Sequence, residues 1–144
     1  MSKENVRIEF LLAALNDLEI FACNIGNAKL KAKYRDKILI EAGTEFVTKK
    51  GMVMIISRSL YGLKSSGDVW IVNISENMKS LGYRSSEAAT DVWIKLYFNP
   101  NKDPYYKYIL CYVDDLIHIG FNPKEDMDAL NLIYRLRGIF EPPD

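Results

Sequence analysis

A chain of 144 residues, 49% hydrophobic and 12% aromatic, has enough apolar material for one compact core, which excludes a disordered composition. Nineteen basic residues balance nineteen acidic ones, so the broad electrostatic pull of many free-standing nucleic-acid binders is excluded and any such contact must be local. No apolar run approaches the roughly 20 residues that span a bilayer, and Lys3 and Glu4 stand where a signal peptide needs apolar residues, so the expectation is an intracellular chain with no membrane partner.

From Val6 to Leu15 the residues Ile8, Leu11, Leu12 and Leu15 recur at three- and four-residue steps, which predicts one face of a helix ending near Asn16-Asp17. Leu18 to Ile25 is rich in strand formers and stops at the turn pair Gly26-Asn27. Next come Lys29, Lys31, Lys33, Arg35 and Lys37, an alternation that in an extended conformation sets five cations on one side. Two readings stand for it, a solvated loop face or a phosphate-binding stripe. Met52 to Ile56 suits a short buried strand.

Ser65-Ser66-Gly67-Asp68 offers a helix start, after which Trp70, Ile71, Ile74, Met78 and Leu81 keep helical spacing as far as Gly82. The β-branched residues between Val69 and Ile74 work against that helix. Val92 to Phe98 and Tyr105 to Val113 read as strands of a hairpin joined by the turn-rich Asn99 to Pro104. Asn122, Pro123 and Glu125 form a helix-capping arrangement, Met127, Leu130, Ile133 and Tyr134 give the buried stripe, and Gly138 closes the helix. Cys23 and Cys111 are too far apart for a Cys-x-x-Cys motif, and with His118 the only histidine no zinc site suggests itself; both thiols read as small buried residues on strands. Three helices and five strands, interleaved, predict an α+β domain with one sheet covered by helices on one face.

The segment Ile109 to Gly120 runs two apolar strands into the pair Asp114-Asp115. Adjacent carboxylates repel unless solvent or a cation relieves them, so the pair is either an exposed turn or a metal site.

Tyr112-Val113-Asp114-Asp115, flanked by Leu110 and Leu116-Ile117, resembles the Tyr-x-Asp-Asp signature of reverse transcriptases in its copia-type retrotransposon form. Ser59-Leu60-Tyr61-Gly62-Leu63-Lys64-Ser65-Ser66 is similar to that family's Leu-Tyr-Gly-Leu-Lys-Gln-Ser motif, and Ala13 to Ile20 to the segment entering its first catalytic strand. The motifs occur in family order and cover nearly the whole chain. The resemblance implies a palm-like fold with an antiparallel sheet and a Tyr-Val-Asp-Asp hairpin. It implies RNA-directed DNA polymerisation in which aspartates on neighbouring strands hold magnesium or manganese. Asp114 and Asp115 would be the metal residues, Asp114 the first choice for direct ligand, and the partners would be an RNA or DNA template-primer and a deoxynucleoside triphosphate. Tyr61, Gly62 and Lys64 would lie near the nucleotide, or serve ordinary turn and packing duty.

Two residues depart from the family pattern. Asn24 stands where the first catalytic aspartate belongs; one unit charge at 4 Å is worth about 4 kcal/mol at an effective dielectric of 20, a loss on the order of a thousandfold. Lys29 stands at the nucleotide-facing position where the family places an aromatic wall. The implied ion would therefore be held weakly. The expectation is a single partial palm domain over residues 1–144, without the start of the fingers, the thumb, the ribonuclease H or the integrase, and catalytically impaired. An active module completed by other segments and a non-catalytic nucleic-acid-binding domain are the alternatives, and the oligomeric state stays open.

Overall fold

The computed structural model describes residues 2–34 and 36–136, the side chains of residues 135 and 136 excepted. Helix α1 (Lys3–Leu15) starts where the Ser2 hydroxyl accepts the Asn5 N–H at 3.1 Å. Strand β1 (Glu19–Asn24) and the one-turn helix α2 (Ala28–Lys31) follow. Strands β2 (Leu39–Glu41) and β3 (Val53–Ile55) flank a broken 3-10 segment, Thr44–Lys49. Helix α3 (Ser66–Ser80), strands β4 (Arg84–Ser85), β5 (Val92–Phe98), β6 (Pro104–Tyr112) and β7 (Asp115–Gly120), and helix α4 (Pro123–Leu136) complete the described order. Gly138, expected to close α4, lies outside the described residues.

One five-stranded sheet, in the order β1-β7-β6-β5-β4, is antiparallel throughout. Side chains alternate across it, so neighbours such as Ile109 and Leu110 enter different cores. On one side Trp93, Ile109 and Leu116 meet Trp70, Ile74 and Met78 of α3 and Met127, Leu130 and Tyr134 of α4. On the other, Val92, Leu110 and Ile119 meet Ala13 of α1. The expectation of helices on one face is thereby corrected. Strands buried on both sides read as continuous apolar runs, which say nothing about how many faces are covered. Each fully buried aliphatic side chain here is worth about 1.5–3 kcal/mol.

Three further expectations change. Three of the four residues of the predicted α1 stripe, Ile8, Leu11 and Leu15, face outward, with Leu15 72% exposed, and Leu12 is half-buried, while Glu9 and Ala13 face the sheet; spacing shows which residues share a face, and the small Ala13 lets the backbone approach on the other one. The strand at Met52 to Ile56 is real but not buried: among the described residues β3 pairs only with β2, and Val53 is 69% exposed. The extended lysine alternation gives way to α2, because Ala28 and Ala32, four apart, both enter the core. Lys31 is then buried with its ammonium 5.2 Å from the Tyr134 ring centre. Among the α4 residues, Ile133 is only half-buried.

Candidate functional site

Strands β6 and β7 end on the pair Tyr112 and Asp115, which leaves Val113-Asp114 as a two-residue turn. Val113 has φ 55° and Asp114 is not among the positive-φ residues, the pattern of a type II′ hairpin turn, whose first position favours glycine. A β-branched residue there costs on the order of 1–3 kcal/mol and persists only where its surroundings hold it. Both turn carbonyls are held. Asp114 O accepts the Ile25 N–H at 2.7 Å, at the end of β1, and Val113 O accepts the indole N–H of Trp70 on α3. Trp70 is 1% exposed and stacks on Tyr134 with ring centres 6.0 Å apart.

The strand partner of Asn24 is Asp115, and the Asn24 amide donates to Asp115 Oδ1 at 3.0 Å. Asp114 lies beside this pair in the turn, not opposite Asn24. Asn24 and Asp115 are exposed, and Asp114 is half-buried. With its nitrogen toward Asp115, the amide acts as a donor and occupies a lone pair that a cation would need. The reverse orientation would set two oxygens against each other unless a cation lay between them. Among the described residues no group of three or more His, Cys, Asp or Glu is arranged to hold a metal. Two carboxylates and a donating amide do not fit a two-ion clamp.

Lys29 stands over Tyr61, its ammonium 5.2 Å from the ring centre, and joins Asp91, Trp70, Cys111, Tyr112 and Val113 in lining a cleft of about 320 Å³. Tyr61, Gly62 and Lys64 do not line that cleft. They lie in a loop fixed by other means: the Tyr34 N–H donates to Ser57 O at 3.1 Å and the Ser59 N–H to Ala32 O at 3.0 Å. Gly62 has φ 93°, a glycine-favouring conformation, and Lys64 is exposed. Burial pushes the Cys111 thiol up to about 11 and raises that of Cys23, so neither is an activated nucleophile. No helix among the described residues is long and apolar enough to cross a membrane.

Two residues that hold the turn escape a sequence reading. Trp70 scored there only as core; the usable signal is that a buried indole N–H requires an acceptor. Ile25 contributes its backbone alone, which no sequence pattern reveals.

The family model described as "Reverse transcriptase (RNA-dependent DNA polymerase)" matches residues 1–133. The retrovirus-related Pol polyprotein from transposon TNT 1-94 of Nicotiana tabacum is 31% identical over 118 residues, 81% of this chain and 9% of that protein. The retrovirus-related Pol polyprotein from transposon RE1 of Arabidopsis thaliana is 24% identical over 121 residues, 83% of this chain and 8% of that protein. The chain thus spans under a tenth of either relative, and no solved structure matches it. With a family match across residues 1–133 and relatives of this kind, the chain belongs to the reverse transcriptase (RNA-dependent DNA polymerase) family and corresponds to part of a copia-type retrotransposon Pol polyprotein.

Proposed function

We propose that this chain is a single partial palm domain of a copia-type RNA-directed DNA polymerase, with nucleotidyl transfer impaired at Asn24. The observation that carries the reading is the facing pair Asn24 and Asp115, bonded amide to carboxylate at 3.0 Å on adjacent strands. An aspartate in place of Asn24 would put a third carboxylate beside Asp114 and Asp115, the charge density a divalent cation requires. The amide leaves two, and its N–H neutralises part of one. Template-primer and deoxynucleoside triphosphate are the partners this reading assigns. The nucleotide would approach the cleft bounded by Lys29 and Tyr112, with Tyr61, Gly62 and Lys64 in the supporting loop. Magnesium or manganese would bind Asp114 and Asp115 weakly.

Asn24→Asp tests the site. Without metal, repulsion among three carboxylates lowers the melting temperature below that of the parent. Manganese then stabilises the variant by RT ln(1 + [L]/Kd), about 2.7 kcal/mol at one hundred times Kd, and the parent much less. Equal manganese shifts in the two proteins would dissolve the site. Primer extension with magnesium or manganese tests the impairment. No product is expected from the parent, and template-directed extension abolished by Asp114→Ala would overturn it.

A further inference from the structure

Val113 holds a left-handed conformation with φ 55°, which a β-branched residue avoids in a free turn. The residue is 44% exposed, so local packing does not account for that conformation. The two carbonyls of the turn are tied to different elements, Asp114 O to the end of β1 and Val113 O to the Trp70 indole N–H. The indole itself is immobilised, 1% exposed and stacked on Tyr134 of α4.

We infer that Trp70 is a positioning residue: its indole N–H latches the Val113 carbonyl, holds the strained turn in one conformation, and so fixes where Asp114 and Asp115 present their carboxylates. The latch couples α3 to the acidic turn. Its meaning for polymerisation rests on the function proposed above, but its existence does not.

Amide hydrogen exchange in the absence of metal, nucleotide and template tests it, so failure here is distinct from failure of the manganese experiment. The variants are Trp70→Phe, which keeps a ring and loses the donor, Val113→Gly, which removes the backbone strain, and the two combined. Trp70→Phe should speed exchange at Ile25 and Asp115 by about tenfold more than at the sheet and helix amides of Ile109 and Leu130, the loss of one hydrogen bond to a strained turn. Adding Val113→Gly should bring that ratio back toward the parent value, because a relaxed turn needs no latch. A uniform rise at all four amides, or no rescue by glycine, would overturn the proposal. If Trp70→Phe alone does not fold, the combined variant decides: recovery of a protected turn supports the latch, and a chain that stays unfolded reduces Trp70 to core packing.

Discussion

Glu9 is 6% exposed, and among the described residues its Oε2 has no hydrogen-bond partner. It lies on the sheet-facing side of α1, close enough to Tyr108 to push that phenol upward after burial has done so. Burial pushes the Glu9 carboxyl up from 4.5 to about 7. A raised carboxyl favours the folded state below the unfolded value and loses that advantage as pH rises through the folded one, so the Glu9 contribution drains between pH 4.5 and 7. At 1.36 kcal/mol per pKa unit the loss is roughly 3 kcal/mol at most. His118 works in the opposite sense. Burial lowers its pKa, so stability falls as pH drops below 6.5, and comparison with a variant is needed to isolate Glu9. Urea unfolding at pH 5 and pH 8 should show that Glu9→Gln shifts the stability at pH 5 relative to pH 8 downward by about 2–3 kcal/mol compared with the parent. An unchanged difference would mean that the carboxylate reaches water. The outward Ile8, Leu11 and Leu15 misled the sequence reading because periodicity defines a stripe without defining its partner.

At the scale of elements, α4 is fastened to the sheet by polar bonds as well as by its apolar stripe. Lys107 on β6 donates to Asp126 at 2.8 Å, and both are nearly buried. The Tyr83 hydroxyl has one hydrogen, which it directs to the same carboxylate oxygen at 3.0 Å and which His118 Nε2, 3.1 Å away, can accept in its place, while His118 Nδ1 donates to the Pro123 carbonyl. Desolvation keeps the imidazole neutral, which suits a ring that donates from Nδ1. Truncating one member of such a pair leaves the other charge buried and alone, so Lys107→Met should cost about 3–5 kcal/mol in urea unfolding. Lys107→Met with Asp126→Leu should recover much of that. A single variant costing under 1 kcal/mol would show that water compensates Asp126. None of this was legible from sequence, because Lys107 and Asp126 each look like ordinary surface charges in an amphipathic pattern. By contrast β5, β6 and α4 were legible, since Asn99 to Pro104 and Asn122-Pro123 are strong local punctuation. Strands β2 and β4, only three and two residues long, carry too little periodicity to be seen.

Across the whole molecule, local chemistry was more legible than three-dimensional pairing. The motif order placed Asn24 beside the acidic turn, but only the register of β1 against β7 makes Asp115 its partner. The lysine stripe fails for the same reason, because a helical turn and a buried alanine pair redirect its first members. Lys29 is engaged with Tyr61 and Lys31 is buried, which leaves Lys33 and Lys37 exposed, with Arg35 outside the described residues. A continuous stripe of five cations would release counterions from about five phosphates and give a salt slope near −4.5 for duplex binding. Two exposed lysines, or three cations with Arg35, limit the slope to about −1.8 to −2.7. With zero net charge behind it, the surface adds little long-range attraction. Fluorescence anisotropy of a labelled duplex between 50 and 200 mM salt, a range over which such contacts are readily read, should therefore show weak binding with a slope shallower than about −3. Lys33→Ala and Lys37→Ala should each remove roughly one unit of slope, while Lys31→Met should leave the slope unchanged and lower stability. A slope near −4.5 that falls by one unit with Lys31→Met would restore the extended stripe and displace α2 from the nucleic-acid-bound state.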